Sequence, residues 1–103
     1  MQTEKIPIRV PEGIPQKLVT EYVTRCLAAL PTAREALRRS DYAQIRVLGH
    51  RLRGSGGAYG ILKVTEIGSA IELAAGHDDA TELESQLAAL EECLSRLEIP
   101  SGQ

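Results

Sequence analysis

Residues 40–60 read SDYAQIRVLGHRLRGSGGAYG. Tyr42, Ile45, Leu48, Leu52 and Tyr59 recur at the three- and four-residue spacing of one helical face. Ser40 and Asp41 stand at the start, and Gln44 follows Asp41 by three, as in a capping box. Gly60 supplies a stop. The stretch predicts a helix over about 42–59.

The same period extends in both directions. Upstream, Pro11 and Pro15 precede a stripe of Leu18, Val19, Tyr22, Val23, Cys26, Leu30, Ala33 and Leu37. Pro31 interrupts that stripe without changing its phase, which predicts one long helix over about 15–39, kinked near Pro31, with two shorter helices as the alternative. Downstream, Val64, Ile67, Ile71, Ala74 and Ala75 predict a third helix over about 62–75, ended by Gly76 and followed by the short connection His77-Asp78-Asp79. Leu83, Leu87, Leu90, Leu94 and Leu97 predict a fourth over about 80–98, with Thr81 and Glu84 as a second capping box and Pro100 as its close. No stretch alternates at period two long enough for a convincing strand. Short connections turn neighbouring helices antiparallel. The expectation is an all-α, up-down-up-down antiparallel four-helix bundle, with a single domain over 1–103, a core over about 15–98, and frayed ends at Met1 to Ile8 and Ser101 to Gln103.

Composition narrows the function. The chain has 103 residues, 43% of them hydrophobic, with three Tyr and neither Phe nor Trp. That suits one modest core and argues against an aromatic platform for single-stranded nucleic acid. No apolar run approaches the roughly 20 residues a membrane helix needs. The N-terminus has no apolar signal core, so the cytoplasm is the expected compartment. Cys26 and Cys93 cannot build a disulfide scaffold, and with His50 and His77 they lack the paired spacings of a zinc site. Charge is segregated: residues 34–63 carry seven basic and two acidic side chains, residues 64–103 one basic and nine acidic. One positive face is expected to steer an acidic partner. Binding of nucleic acid through the arginine-rich segment is opposed by the acidic last forty residues.

The second helix carries too many glycines for stability alone. Positions 49, 54, 56, 57 and 60 are all Gly, and each in a helix costs about 1 kcal/mol relative to Ala. On a helical wheel, Gly49 and Gly56 lie toward the packed side, where they admit a close neighbour. His50 lies about 140° from the centre of the apolar stripe, toward solvent. Arg46, Arg53 and Gly54 are one turn away, and Ala43 and Gly57 a turn further. An exposed imidazole in a lane of small residues, flanked by guanidinium groups, is equipped to accept a phosphoryl group. The ring nitrogen is nucleophilic at neutral pH, bare glycines admit a second protein, and arginine holds phosphoryl oxygens.

The run from Leu48 to Gly60 resembles the signature of histidine-containing phosphotransfer (HPt) domains: His, any residue, an apolar residue, Lys or Arg, Gly, then small residues. The resemblance covers essentially the whole chain, because that family also folds as a four-helix bundle of this length. It implies that His50 is the phosphoacceptor, Arg53 the basic residue steadying the phosphoryl group (commonly Lys in the family), and Gly54 the glycine that keeps the ring accessible. It also implies that Glu72, on the third helix, bonds the other ring nitrogen and orients the imidazole. Ala43, Arg46, Gly54 and Gly57 are the expected access and docking positions. The implied role is a phosphorelay intermediate, working as a monomer with a response-regulator receiver domain, a hybrid histidine kinase, or both. No cofactor is expected on this chain and Mg²⁺ is expected in the receiver partner. There is no nucleotide-binding loop, since the glycine run lacks both GxGxxG spacing and a P-loop Lys-Ser/Thr. A phosphocarrier rather than an enzyme is expected. The alternative from a different class is a helical adapter that binds a signalling partner and never carries phosphate.

Overall fold

The computed structural model describes residues 6–7 and 10–98. Four helices form: α1 (Gln16–Arg38), α2 (Tyr42–Ser55), α3 (Leu62–Gly76) and α4 (Ala80–Ser95). Two-residue segments, β1 (Ile6–Pro7) and β2 (Leu97–Glu98), pair in parallel, Ile6 with Leu97 and Pro7 with Glu98. This pair departs from the expectation of helices alone. It also ends α4 three residues before the expected 98. Most of the expected frayed ends lie outside the described residues.

The helices bury most of the stripes that the spacing marked, with Leu37, Tyr42, Leu48, Tyr59 and Leu97 partly buried against the core. Val19, Ile45, Val64, Ile71, Leu83 and Leu90 are fully enclosed. Helix α1 packs on α2 and α4, and α3 packs on α2 and α4, so all four surround one core. Leu18 is a correction. It is 44% exposed, because Val19 and Tyr22 take the inward face of the first turn. Ala36 and Ile61 are buried without having been expected. Among the described residues no helix is long and apolar enough to cross a membrane.

Helix α1 runs unbroken through Pro31, whose ring is on the exposed side, where the carbonyl it leaves without a donor can be hydrated. It ends at a corner that recurs after α3. Ser40 takes a left-handed backbone (φ 57°), and Asp41 N–H returns to Ala36 C=O at 2.8 Å. After α3, Asp78 does the same (φ 53°), and Asp79 N–H returns to Ala74 C=O at 2.9 Å. In both corners the next residue, Asp41 or Asp79, caps the following helix: its carboxylate accepts from the backbone N–H three residues on, Gln44 or Glu82.

Three expectations are corrected here. The cap of α4 is Asp79 with Glu82, not Thr81 with Glu84. Gly76 is the last helical residue of α3 rather than its stop, since Asp78 makes the left-handed turn. Asp41 caps α2 as expected, but Gln44 Oε1 turns to Arg39 instead of completing the box.

Helix α2 also stops short of Tyr59. At Gly57 the backbone N–H leaves the helical ladder and donates to Thr65 Oγ1 at 2.7 Å. Residues Gly57–Tyr59 tighten into a 3₁₀ turn closed by Gly60 (φ 83°). Tyr59 stacks on Tyr22 with centroids 4.2 Å apart, and Tyr22 OH lies 2.6 Å from Ser55 Oγ, tying the end of α2 to α1.

Candidate functional site

The site rests on how closely α2 and α3 approach. A Cβ on Gly49 would lie 2.6 Å from Glu72 N and 2.9 Å from Gly68 O. A Cβ on Gly56 would lie 2.6 Å from Thr65 N, so both expected close-packing glycines serve that purpose. Gly68 is the third. A Cβ there would stand 2.5 Å from Arg53 N and 2.7 Å from Leu52 Cβ. The sequence reading missed it, although a glycine between Ile67 and Ile71 on an apolar stripe is itself a sign of close contact.

This approach brings Glu72 on α3 against His50 on α2. Glu72 Oε2 lies 3.2 Å from His50 Nδ1. The imidazole is 64% exposed, whereas the Glu72 side chain is only 19% exposed. Arg53, one turn after His50, completes a triangle: its Nε is 3.3 Å from Glu72 Oε1 and its Nη2 is 3.4 Å from His50 Nδ1. Glu72 Oε1 is enclosed and has no well-formed hydrogen bond, so Arg53 meets it as an ion-pair neighbour only.

Nδ1 cannot serve both neighbours as a hydrogen-bond partner. Donation to Glu72 requires a proton on Nδ1, whereas acceptance from Arg53 requires a lone pair there. A largely buried carboxylate needs the donor more than an exposed guanidinium needs an acceptor, so Nδ1–H to Glu72 is the favoured tautomer. Nε2 then carries the lone pair, and it has no protein partner among the described residues.

The other expected positions surround the ring. Ala43, Arg46 and His50 line an open depression of about 570 Å³ together with Val47, Arg51 and Glu72. Gly54 is exposed and a Cβ there meets nothing within 4 Å, while Gly57 is exposed with Thr65 Oγ1 3.6 Å from its Cβ position. His77 stands apart, on a second depression beyond Glu72 with Arg46, Leu73 and Gly76. Val47, 49% exposed beside His50, was not among the expected site residues. Its position just off the apolar stripe was the available signal.

The basic segment is not uniformly free. Arg34 pairs with Glu91, Arg38 with Glu35, Arg39 with Asp41 and Arg53 with Glu72. The Arg46 and Arg51 side chains have no ion-pair or hydrogen-bond partner among the described residues.

Comparison with protein families agrees with this geometry. A family model described as Hpt domain matches residues 17–99. No curated protein and no solved structure matches the chain significantly.

Proposed function

The chain belongs to the Hpt domain family, a family of phosphocarriers in two-component signalling, and on that premise we propose that His50 is its phosphoacceptor. In this reading the domain is a phosphorelay intermediate. It takes a phosphoryl group on His50 Nε2 and passes it to or from an aspartate of a receiver domain, supplied by a response regulator or a hybrid kinase.

The observation that carries the proposal is the 3.2 Å contact between Glu72 Oε2 and His50 Nδ1, on the edge of the ring opposite its free nitrogen. Transfer from an aspartyl phosphate then balances without moving a proton. The Nε2 lone pair forms the N–P bond, the P–O bond to the aspartate breaks, and the carboxylate leaves with that electron pair. The ring keeps its Nδ1 proton and becomes cationic, and Glu72 offsets the charge it gains. The return step reverses each change. Arg53 adds positive charge beside the ring, suited to steadying the phosphoryl group. Ala43, Arg46, Gly54 and Gly57 leave the approach to the ring clear for the partner. Mg²⁺ is assigned to the receiver, whose own acidic site handles the aspartate chemistry, and no cofactor is assigned to this chain.

The same reading takes 1–103 as a single domain, a cytoplasmic monomer with neither nucleic acid nor membrane among its partners. Its helices run up-down-up-down, with α1 kinked at Pro31. Connections of three residues between α1 and α2 (39–41) and between α3 and α4 (77–79) support the antiparallel order.

The test is incubation with a receiver domain phosphorylated on its aspartate, following the label. Wild type should gain acid-labile label and His50→Gln none, with helicity unchanged and His77→Gln behaving as wild type. Label on the Gln variant would overturn the assignment. A folded wild type that binds the receiver and takes no label would make the domain an adapter.

A further inference from the structure

Arg53 is occupied where it stands. Both of its short contacts lie on the Nδ1 edge of His50, 3.3 Å to Glu72 Oε1 and 3.4 Å to Nδ1 itself. A phosphoryl group on Nε2 would sit across the ring from that edge. For Arg53 to reach it, the guanidinium would have to leave a carboxylate that is only 19% exposed and whose Oε1 has no hydrogen bond. Stripping the ion pair from a mostly buried carboxylate is costly. Yet the arriving group brings about two negative charges. A second cation that is not already committed would meet that charge without disturbing Glu72.

Two arginines beside His50 are uncommitted, Arg46 and Arg51. Their places on the helix separate them. Arg51 follows His50 directly and so points about 100° away around α2. It faces a groove toward α1, lined with it by Ala29, Thr32 and Val47. Arg46 is four residues before His50 and shares its face, with Cβ atoms about 5–6 Å apart at this spacing. Helical side chains also lean toward the N-terminus, so the His50 side chain leans toward the turn that carries Arg46, while Arg53 leans back to the Nδ1 edge of the ring. Arg46, like Arg51, lines the depression at His50, but Arg46 alone of the two also lines the neighbouring one with Glu72 and His77.

We infer that Arg46 is the residue that hydrogen-bonds the phosphoryl group on His50 Nε2, while Arg53 steadies it through its charge from its place beside Glu72. This rests on His50 being the phosphoacceptor, and it gives Arg46 a role beyond docking. The arriving phosphoryl oxygens accept hydrogen bonds from the Arg46 guanidinium as the N–P bond forms. They release them when the group returns to an aspartate. No bond to Arg46 is made or broken other than these.

The test separates contact with phosphate from contact with a protein. Phosphoramidate phosphorylates histidine without any docking surface. With it, Arg46→Ala should slow labelling of His50, or shorten the lifetime of the phosphorylated form, by roughly tenfold, as loss of a charge-assisted hydrogen bond implies. Arg46→Lys should recover part of that loss. Arg38→Ala removes the same charge from the end of α1, where it pairs with Glu35, and should leave both quantities unchanged. Arg46→Ala matching wild type with phosphoramidate, but slowed with a phosphorylated receiver, would reduce Arg46 to a docking residue and overturn the inference. Equal losses in Arg38→Ala and Arg46→Ala would replace a contact with a general field, which overturns it as well. Wild type taking no label on His50 from either donor would remove the phosphoacceptor premise and the inference with it.

Discussion

Gly49 on α2 lies directly against the backbone of Glu72 on α3, where a Cβ would come within 2.6 Å of the Glu72 amide nitrogen. The residue after Gly49 is His50, so the contact that lets the helices touch also sets the reach of the carboxylate to the imidazole. Gly49→Ala should therefore cost about 1–3 kcal/mol, the usual range for overpacking, and displace Glu72 from His50. Gly54→Ala, five residues on, meets nothing within 4 Å. It should be neutral or stabilising by up to about 1 kcal/mol through helix propensity. Urea midpoints of the two variants should move in opposite directions, or with Gly54→Ala unmoved. Equal destabilisation would contradict the packing described for α2 and α3.

Glu72 should govern which ring nitrogen of His50 holds the proton. Glu72→Gln retains an oxygen acceptor for Nδ1–H and should preserve most of that tautomer. Glu72→Leu removes the acceptor and should shift the balance toward Nε2–H, visible in the nitrogen NMR shifts of His50. That shift hides the lone pair at the reacting position, so labelling should slow more in the Leu variant. Identical ring-nitrogen spectra in wild type and Glu72→Leu would make Glu72 an ordinary helix carboxylate.

Much of this was legible beforehand, and the exceptions share a cause. The core stripe of α3 (Val64, Ile67, Ile71, Ala74, Ala75) is buried as the periodicity required. His50, Arg53 and Glu72, singled out from the sequence, lie within hydrogen-bonding or ion-pair distance of one another. What escaped was backbone geometry settled by tertiary contact. The spacing of Tyr59 fits a helix, yet Gly57 N–H finds Thr65 Oγ1 eight residues away and the ladder breaks. Gly76 reads as a stop because glycine commonly ends helices, while the left-handed positions fall to Ser40 and Asp78. Those two residues yield a further prediction. A non-glycine residue in that conformation is strained by about 1 kcal/mol, so Ser40→Gly and Asp78→Gly should each raise stability by up to that amount. In the same thermal scans, Asp79→Ala should cost about 1 kcal/mol as a lost helix cap, whereas Thr81→Ala should change little.

Alkaline pH should weaken the fold. Burial pushes the Cys26 and Cys93 thiols above their ordinary value, and it pushes the Tyr22 hydroxyl up more strongly. The unfolded chain loses these protons first, so above the ordinary thiol pKa, about 8.5, it binds fewer protons than the native state. Stability is then complete below about pH 8 and falls as pH rises through the thiol and tyrosine ranges. Urea midpoints measured from about pH 7 to 10 should show that decline, with a shallower slope in Cys93→Ala. A level profile would mean that these groups titrate alike in the folded and unfolded chains.

Access to His50 should be separable from its chemistry. Gly54 is exposed one turn beyond His50 with open space at its Cβ position, and Gly57 continues the same lane. Side chains added there point outward, so they obstruct a docked protein while leaving the contacts among His50, Glu72 and Arg53 intact. Gly54→Val and Gly57→Leu should slow phosphoryl transfer from a receiver domain strongly. Reaction with phosphoramidate, which needs no docking surface, should change little. Valine is a weak helix former and Gly57 opens the 3₁₀ turn, so each variant also needs a circular dichroism spectrum matching wild type. With the fold intact, equal loss toward both donors would mean that the glycines support the ring itself. Retention of full receiver transfer would mean that the partner approaches from the side of Ala43 and Val47 instead, where the depression beside His50 is open.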